Sequence, residues 1–228
     1  MNRRSFFFLF LSCAAVLAAL LSRAQSADQN PSVPTITFDR VWEAYTPQNV
    51  NIKVQATGPA TYLSRNPFTP PQQEGADPDY VLKFTISARN QEKLFRYARE
   101  ANYFNGDFSY KKHTVSSTGK KTLTFADPAR HFETTYDYSE NKAIQEITNI
   151  FLGISNTIEQ GRKLQFLRRF DKLGLEAELK GMETAVEGHN LAELQLIAPI
   201  LENIANDPAI LNIARQRARK ILAKSASE

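Results

Sequence analysis

Near residue 139 the dominant spacing of apolar residues changes from every second position, interrupted by one predicted helix that includes Leu94 and Phe104, to every third or fourth. Before that point, residues 49–56 and 80–86 alternate polar and apolar side chains, and residues 108–138 do so over what we interpret as three strands. Such alternation is typical of strands with one buried face. Afterwards the apolar residues follow a helical spacing, at Ile144, Ile147, Phe151, Ile154 and Ile158. This order favours an α+β fold in which helices cover one face of a sheet.

From residue 161 onward the alternating pattern is absent from the sequence, and three apolar stripes at helical spacing take its place. They contain Leu179, Leu201 and Ala218, with Gly188 between the first stripe and the second. We therefore expect an antiparallel sheet of about five strands covered by helices, followed by a C-terminal helical hairpin or small bundle.

The first 24 residues have the composition of a secretory signal peptide. Arg3 and Arg4 precede an apolar run at residues 6–21, and small residues lead to a cleavage point near Ala24. The run is shorter than the roughly 20 residues that cross a bilayer. This favours cleavage and a secreted or periplasmic protein, with an uncleaved inner-membrane anchor as the alternative. We assign residues 25–37 to a flexible tether, 38–160 to an α+β domain and 161–228 to a helical extension.

Loss of the leader would change both the charge and the thiol content of the chain. It removes Arg3, Arg4 and Arg23 but no acidic residue, so the formal charge falls from +4 to +1. That excess is too small for a nucleic-acid-binding protein. Cys13, the only cysteine of the chain, would leave as well, and the mature chain would have no thiol. These features favour a bacterial extracytoplasmic protein.

The sequence contains few of the residue patterns that catalytic sites need. Its three histidines lack the clustered spacing of a metal site, and we expect neither a metal nor a cofactor. It has no Gly-x-Ser-x-Gly motif for nucleophilic hydrolysis. We favour a protein without enzymatic activity. The alternative is a small hydrolase that uses His131 with Glu133 or Asp137, because His131 and Glu133 lie on the same face of the last predicted strand.

Two groups of residues are candidates for binding a protein or another component of the cell envelope. The first consists of tyrosines near the predicted sheet: Tyr103, Tyr110, Tyr136 and Tyr138. Core tyrosines with a hydrated hydroxyl are the other interpretation. The second is the basic face of the last helix, where Arg215 and Arg219 could contact anionic lipid or an acidic partner. A solvated basic face is the alternative there.

Parts of the chain resemble known groups of proteins. The leader, Gly58 and Pro59 after an early strand, and the strand and helix between Tyr80 and Phe104 resemble uncharacterised exported bacterial proteins with a small α+β domain of unknown function. Residues 206–222 are similar to the second half of a HEAT-type repeat. Neither resemblance implies an activity. The sequence predicts an exported binding or protein-interaction module, with the hydrolase and a membrane-anchored envelope protein as alternatives.

Overall fold

The computed structural model describes residues 31–65, 79–112 and 116–225. The predicted leader, its cleavage point near Ala24 and the first part of the predicted tether lie outside these ranges. Residues from Pro31 onward belong to one compact unit. The helices within the described ranges do not combine the length and the apolar character that crossing a membrane requires.

A six-stranded antiparallel sheet is formed by the described residues. Its strands are β1 (Thr35–Val41), β2 (Asn49–Gln55), β3 (Pro59–Arg65), β4 (Tyr80–Thr85), β5 (Lys120–Asp127) and β6 (Arg130–Tyr136). The first four strands follow one another as a meander, and β5 then pairs with the other edge of β1 and carries β6 outside it. The first strand of the sequence is therefore central in the sheet.

Alternation along the strands separates a buried apolar face from a polar one. Ile36, Phe38 and Leu123 have no exposed surface. The opposite face is rich in threonine, and the hydroxyls of Thr122 and Thr135 lie 2.9 Å apart across β5 and β6. An antiparallel sheet can leave such a polar face in contact with water, so it needs a cover on the apolar face alone.

Five α-helices and two 3-10 segments occur in the described ranges. The helices are α1 (Ala88–Glu100), α2 (Lys142–Phe170), α3 (Leu175–Glu187), α4 (Ala198–Asn206) and α5 (Asn212–Ser225), and the 3-10 segments are Asn102–Phe104 and Leu194–Ile197. Helices α1 and α2 contribute to the same apolar core as the sheet. In that core the ring of Phe151 stacks on Phe38 with centroids 5.1 Å apart.

Helix α2 runs for 29 residues and takes part in two apolar cores. The part up to Ile158 packs in the core beneath the sheet, whereas Leu164 belongs to a second core with α3, α4 and α5. The helix is thus continuous across residue 160, the predicted boundary between the α+β domain and the helical extension. Gly161 allows a close approach at this point, because a Cβ there would collide with the side chain of Ile197.

Two short turns connect consecutive helices in the C-terminal region. The turn at residues 171–174 leads from α2 to α3, and the turn at residues 207–211 leads from α4 to α5. Asp207 in the second turn pairs with Lys172 of the first at 3.1 Å and with Arg168 at 3.9 Å. These ion pairs place both turns at one end of the helical region.

The α+β class, the antiparallel sheet with its helical cover and the C-terminal helices are confirmed, with six strands where about five were expected. Strands β1 and β3 are additional, and β1 begins at Thr35, inside the segment predicted as a tether. The first strand expected in the meander is absent from residues 108–112, where the backbone N–H of Tyr110 donates to the carbonyl oxygen of Tyr138 at 2.9 Å. Both additional strands mix polar residues into the buried face, which hides their period in the sequence.

A candidate binding cleft

A cleft of about 980 Å³ lies where α1, α2 and the connection from α3 to α4 meet. The first turn of α1 forms one wall with Arg89 and Asn90, and residues 186–192 form the opposite wall. Lys224 of α5 lies at its border. The volume is at the upper end of the range that small-ligand sites occupy.

The base of the cleft is a polar stripe on α2. Glu146, Asn149, Gly153 and Asn156 follow one another at spacings of three and four, so they share one face of the helix. Asn149 is exposed, whereas the amide of Asn156 donates to the carbonyl oxygen of Asn190 at 3.4 Å. The side-chain amide of Asn149 is therefore accessible to a ligand, whereas that of Asn156 binds the opposite wall.

The opposite wall, at residues 186–192, packs directly on α2. A Cβ on Gly153 would lie 3.1 Å from the Cβ of Ala192, which shows how closely the two backbones approach. His189 and Glu193 both have left-handed backbone conformations, with φ of 56° and 61°. Residues with a side chain adopt this conformation at a cost, so the surrounding contacts must hold the loop in place.

The buried carboxylate of Glu193 provides such contacts. Only 1% of the residue is exposed, and its two oxygens accept hydrogen bonds from α1 and from the loop itself. The backbone N–H of Ser87 donates at 2.8 Å, its hydroxyl at 2.6 Å and the Asn90 amide at 2.7 Å, and the Gln195 amide also donates. A negative group is favourable at a helix N-terminus. Glu193 thus ties the connection from α3 to α4 to the start of α1.

The lining of the cleft is rich in amides and carries charges of both signs. Arg89 and Lys93 lie on the α1 side, and Glu146 and Glu187 face them from α2 and α3. None of the described residues that line it is Phe, Tyr or Trp. Because an amide offers two donors and one acceptor group, this lining suits uncharged polar ligands better than an ion.

The predicted hydrolase residues lie elsewhere. His131 and Glu133 are exposed on the open face of β6, opposite Ala126 and Thr124 of β5. Asp137 follows the end of β6 and accepts hydrogen bonds from the backbone and hydroxyl of Thr118 at 2.8 and 3.0 Å. Six residues of extended chain span about 20 Å, so the backbone holds His131 and Asp137 far apart.

The predicted tyrosines have different surroundings. Tyr136 is 4% exposed and its hydroxyl lies 2.5 Å from that of Thr148, so it belongs to the core. Burial raises the pKa of Tyr136. Tyr110 and Tyr138 pack edge to face with ring centroids 5.4 Å apart, and Tyr138 is exposed.

Tyr103 lines a second, smaller cavity of about 470 Å³ beside α1. Its ring lies 4.7 Å from that of Phe125 and 3.8 Å beneath the guanidinium of Arg130. Arg130 in turn donates to Asp127 at 2.9 and 2.6 Å. The hydrogen bonds from Arg130 hold the pKa of Asp127 below its usual value. The guanidinium of Arg130 and the ring of Tyr103 are therefore already engaged in contacts within the protein.

The basic residues of α5 mostly bind their own chain. Arg217 pairs with Glu176 and Glu183 of α3, Arg219 donates to the carbonyl oxygen of Ala205 at 2.7 Å, and Arg215 donates to Asn212 at 3.3 Å. Arg217 and Lys220 are thus paired with acidic residues on α3, whereas Arg215 and Arg219 donate to uncharged oxygen atoms.

Within the described ranges, no cluster of three or more His, Cys, Asp or Glu side chains is arranged to hold a metal ion. Compared with known proteins, the chain matches no family model, and no curated protein matches it at a significant level.

The cleft was not predicted from the sequence. One signal was available, since Glu146, Asn149 and Asn156 form a polar stripe beside the apolar stripe of α2. The role of Glu193 could not be predicted from the sequence. Neither its left-handed backbone nor its contact with Ser87, 106 positions away, follows from the residues next to it in the chain.

Proposed function

We propose that this chain is an exported binding protein without enzymatic activity that receives an extended peptide segment of another envelope protein in the cleft. The observation that carries the proposal is the cleft itself, a concave site of about 980 Å³ lined by amides and by charges of both signs. Export rests on the composition of the leader.

A peptide fits the lining better than a sugar does. Exposed Asn149 and Asn190 present donors and acceptors that match those of a polypeptide backbone. Ile150 and Leu191, both buried, add apolar surface for a ligand side chain. Stacking on an aromatic ring would favour a sugar, and the described lining residues offer no Phe, Tyr or Trp for it.

The hydrolase alternative is less well supported by the geometry. A general base must reach the proton that it abstracts and needs a partner within hydrogen-bonding distance. His131 and Glu133 are exposed on a polar strand face, and Asp137 is engaged by Thr118. The distribution of these three residues favours binding over catalysis.

The proposal is tested by selecting binders from a library of random peptides displayed on phage, with the full chain as bait. Asn149→Trp fills the cleft from its base, and Gln216→Trp is the matched control, because it places the same ring on an exposed position of α5 that does not line the cleft. Selected peptides are then titrated against each variant by calorimetry.

We expect Asn149→Trp to weaken peptide binding at least about tenfold, or about 1.4 kcal/mol, and Gln216→Trp to leave it unchanged. Circular dichroism of both variants controls for folding. Selection of no peptide, or of peptides that bind both variants equally, would refute the proposal.

A further inference from the structure

The end of the helical region away from the cleft forms a surface that we call the apex, comprising residues 168–173 and 207–213. Asp207 joins its two parts through Lys172 at 3.1 Å and Arg168 at 3.9 Å. Leu211 and Ile213 follow Asp207 by four and six positions, so their Cα atoms lie within roughly 14 and 21 Å of it. The apex shares no residue with the cleft.

Large apolar side chains are concentrated on the apex. Phe170 is 61% exposed, Leu173 74%, Leu211 48% and Ile213 50%. In the described ranges eight large apolar residues are exposed, and these four are half of them. Isolated exposed apolar residues are ordinary, but a concentration of them marks an interaction surface.

Basic side chains accompany these apolar residues. Arg168, Arg169 and Lys172 lie at the end of α2 and in the turn that follows, and the guanidinium of Arg169 lies 5.0 Å from the ring centroid of Phe170. Asp171 and Asp207 offset part of this charge, so three basic and two acidic residues leave the apex with one net positive charge. The backbone N–H of Ala209 and the ammonium of Lys172 hold the pKa of Asp207 below the usual value, so it remains ionised beside Lys172.

We infer that the apex docks on the surface of an anionic lipid bilayer. Apolar side chains that protrude beside basic ones match a bilayer surface, where the apolar groups enter the acyl boundary and the cations meet the headgroups.

An acidic protein fits the apex less well. Such a partner would need a shaped apolar groove, whereas the depression beside the apex, of about 390 Å³, is lined mainly by polar and basic residues such as Gln165, Arg169 and Asn203. Single protruding side chains such as Leu173 need no shaped groove in order to enter a bilayer.

The test reports on the apex alone, so it does not depend on whether the leader also inserts. In the full chain, Trp42→Phe removes the only native tryptophan, and Phe170→Trp then places one on the apex. Val81→Trp is the matched control, because Val81 is 51% exposed on β4, away from the apex. Fluorescence is measured with vesicles of brominated phosphatidylcholine alone and with vesicles that also contain brominated phosphatidylglycerol.

We expect quenching of Phe170→Trp by the vesicles that contain phosphatidylglycerol, weaker quenching by phosphatidylcholine alone, and little quenching of Val81→Trp by either. Each basic residue near an anionic surface contributes about a fivefold change in the docked-to-undocked ratio. Adding Arg168→Gln, Arg169→Gln and Lys172→Gln should therefore lower that ratio about a hundredfold. Equal quenching at the two positions, equal quenching by the two lipids, or binding of an acidic protein to the apex without lipid quenching would overturn the inference.

Discussion

Replacement of Glu193 should destabilise the protein strongly, because its buried carboxylate accepts four hydrogen bonds. In Glu193→Ala, the amides of Asn90 and Gln195 can turn toward water in the cleft, which both residues line. Ser87 lines the cleft as well, so its hydroxyl can also turn toward that water, whereas its backbone N–H is fixed at the start of α1 and loses its acceptor. The unsatisfied N–H costs about 1–3 kcal/mol, and each of the other three donors loses roughly 0.5–1.5 kcal/mol of net hydrogen-bond energy. We therefore expect a loss of roughly 3 kcal/mol in the free energy of unfolding. Glu193→Gln keeps one acceptor oxygen and should lose about 2 kcal/mol.

Because Glu193 has a left-handed backbone, two substitutions can distinguish the stability that its carboxylate contributes from the cost of its backbone conformation. At φ 61° a residue with a Cβ is strained, whereas glycine is not. Glu193→Gly and Glu193→Ala both remove the carboxylate, but glycine also relieves about 1–2 kcal/mol of strain. Glu193→Gly should therefore be the more stable of the two variants, although both remain less stable than the native chain.

Urea unfolding of the full chain followed by circular dichroism measures these differences, with Glu202→Gln as the matched control. Glu202 is exposed on α4, so its replacement should change stability by less than about 0.5 kcal/mol. Hydrogen exchange adds a local measurement, because the backbone N–H of Ser87 should exchange faster in Glu193→Ala. A Glu193→Gln variant as stable as the native chain, or a Ser87 N–H that stays protected from exchange in Glu193→Ala, would contradict this role of the carboxylate.

Two further changes test the packing and the charge of the fold. A Cβ on Gly161 would collide with Ile197, whereas one on Gly181 would meet nothing within 4 Å; Gly161→Ala should therefore lower the melting temperature, and Gly181→Ala should add about 0.5–1 kcal/mol of stability. The pKa of Asp127 is held below its ordinary 3.8, so its carboxylate stabilises the fold above that pH and loses this effect as the pH falls through the lowered value. The difference in the free energy of unfolding between Asp127→Asn and the native chain should thus decrease as the pH is lowered. A difference that stays constant at all pH values would contradict this.

Much of the architecture follows from local patterns in the sequence. The period of two at residues 49–56 and 80–86 corresponds to β2 and β4, and the stripe from Ile144 to Ile158 is the buried face of α2. The length of α2 could not be predicted from these local patterns. It continues through Gly161 because Ile197 packs against that position, and this contact is remote in sequence.

The candidate cleft could not be predicted in the same way. It is assembled from α1, α2, the connection after α3 and the end of α5, so its residues range from Ser87 to Lys224. Hydrophobic periodicity indicates which face of each helix is buried, but it does not indicate which polar faces will lie next to one another in the fold. Only the polar stripe on α2 was visible, and a stripe on one helix does not define a cleft.

Arg40 and Lys121 are buried cations because their positions in the strands, and not their polarity, determine which face of the sheet they occupy. They are paired across β1 and β5, and alternation places both on the apolar face, at 4% and 3% exposure. Burial lowers the pKa of each. The loops at this end of the sheet compensate with oxygen atoms: the Lys121 ammonium donates to the carbonyl oxygens of Thr118, Gly119 and Asp137, and Arg40 donates to that of Pro47. Because a strand residue cannot change faces without shifting the whole register, the loops must adapt to the cations.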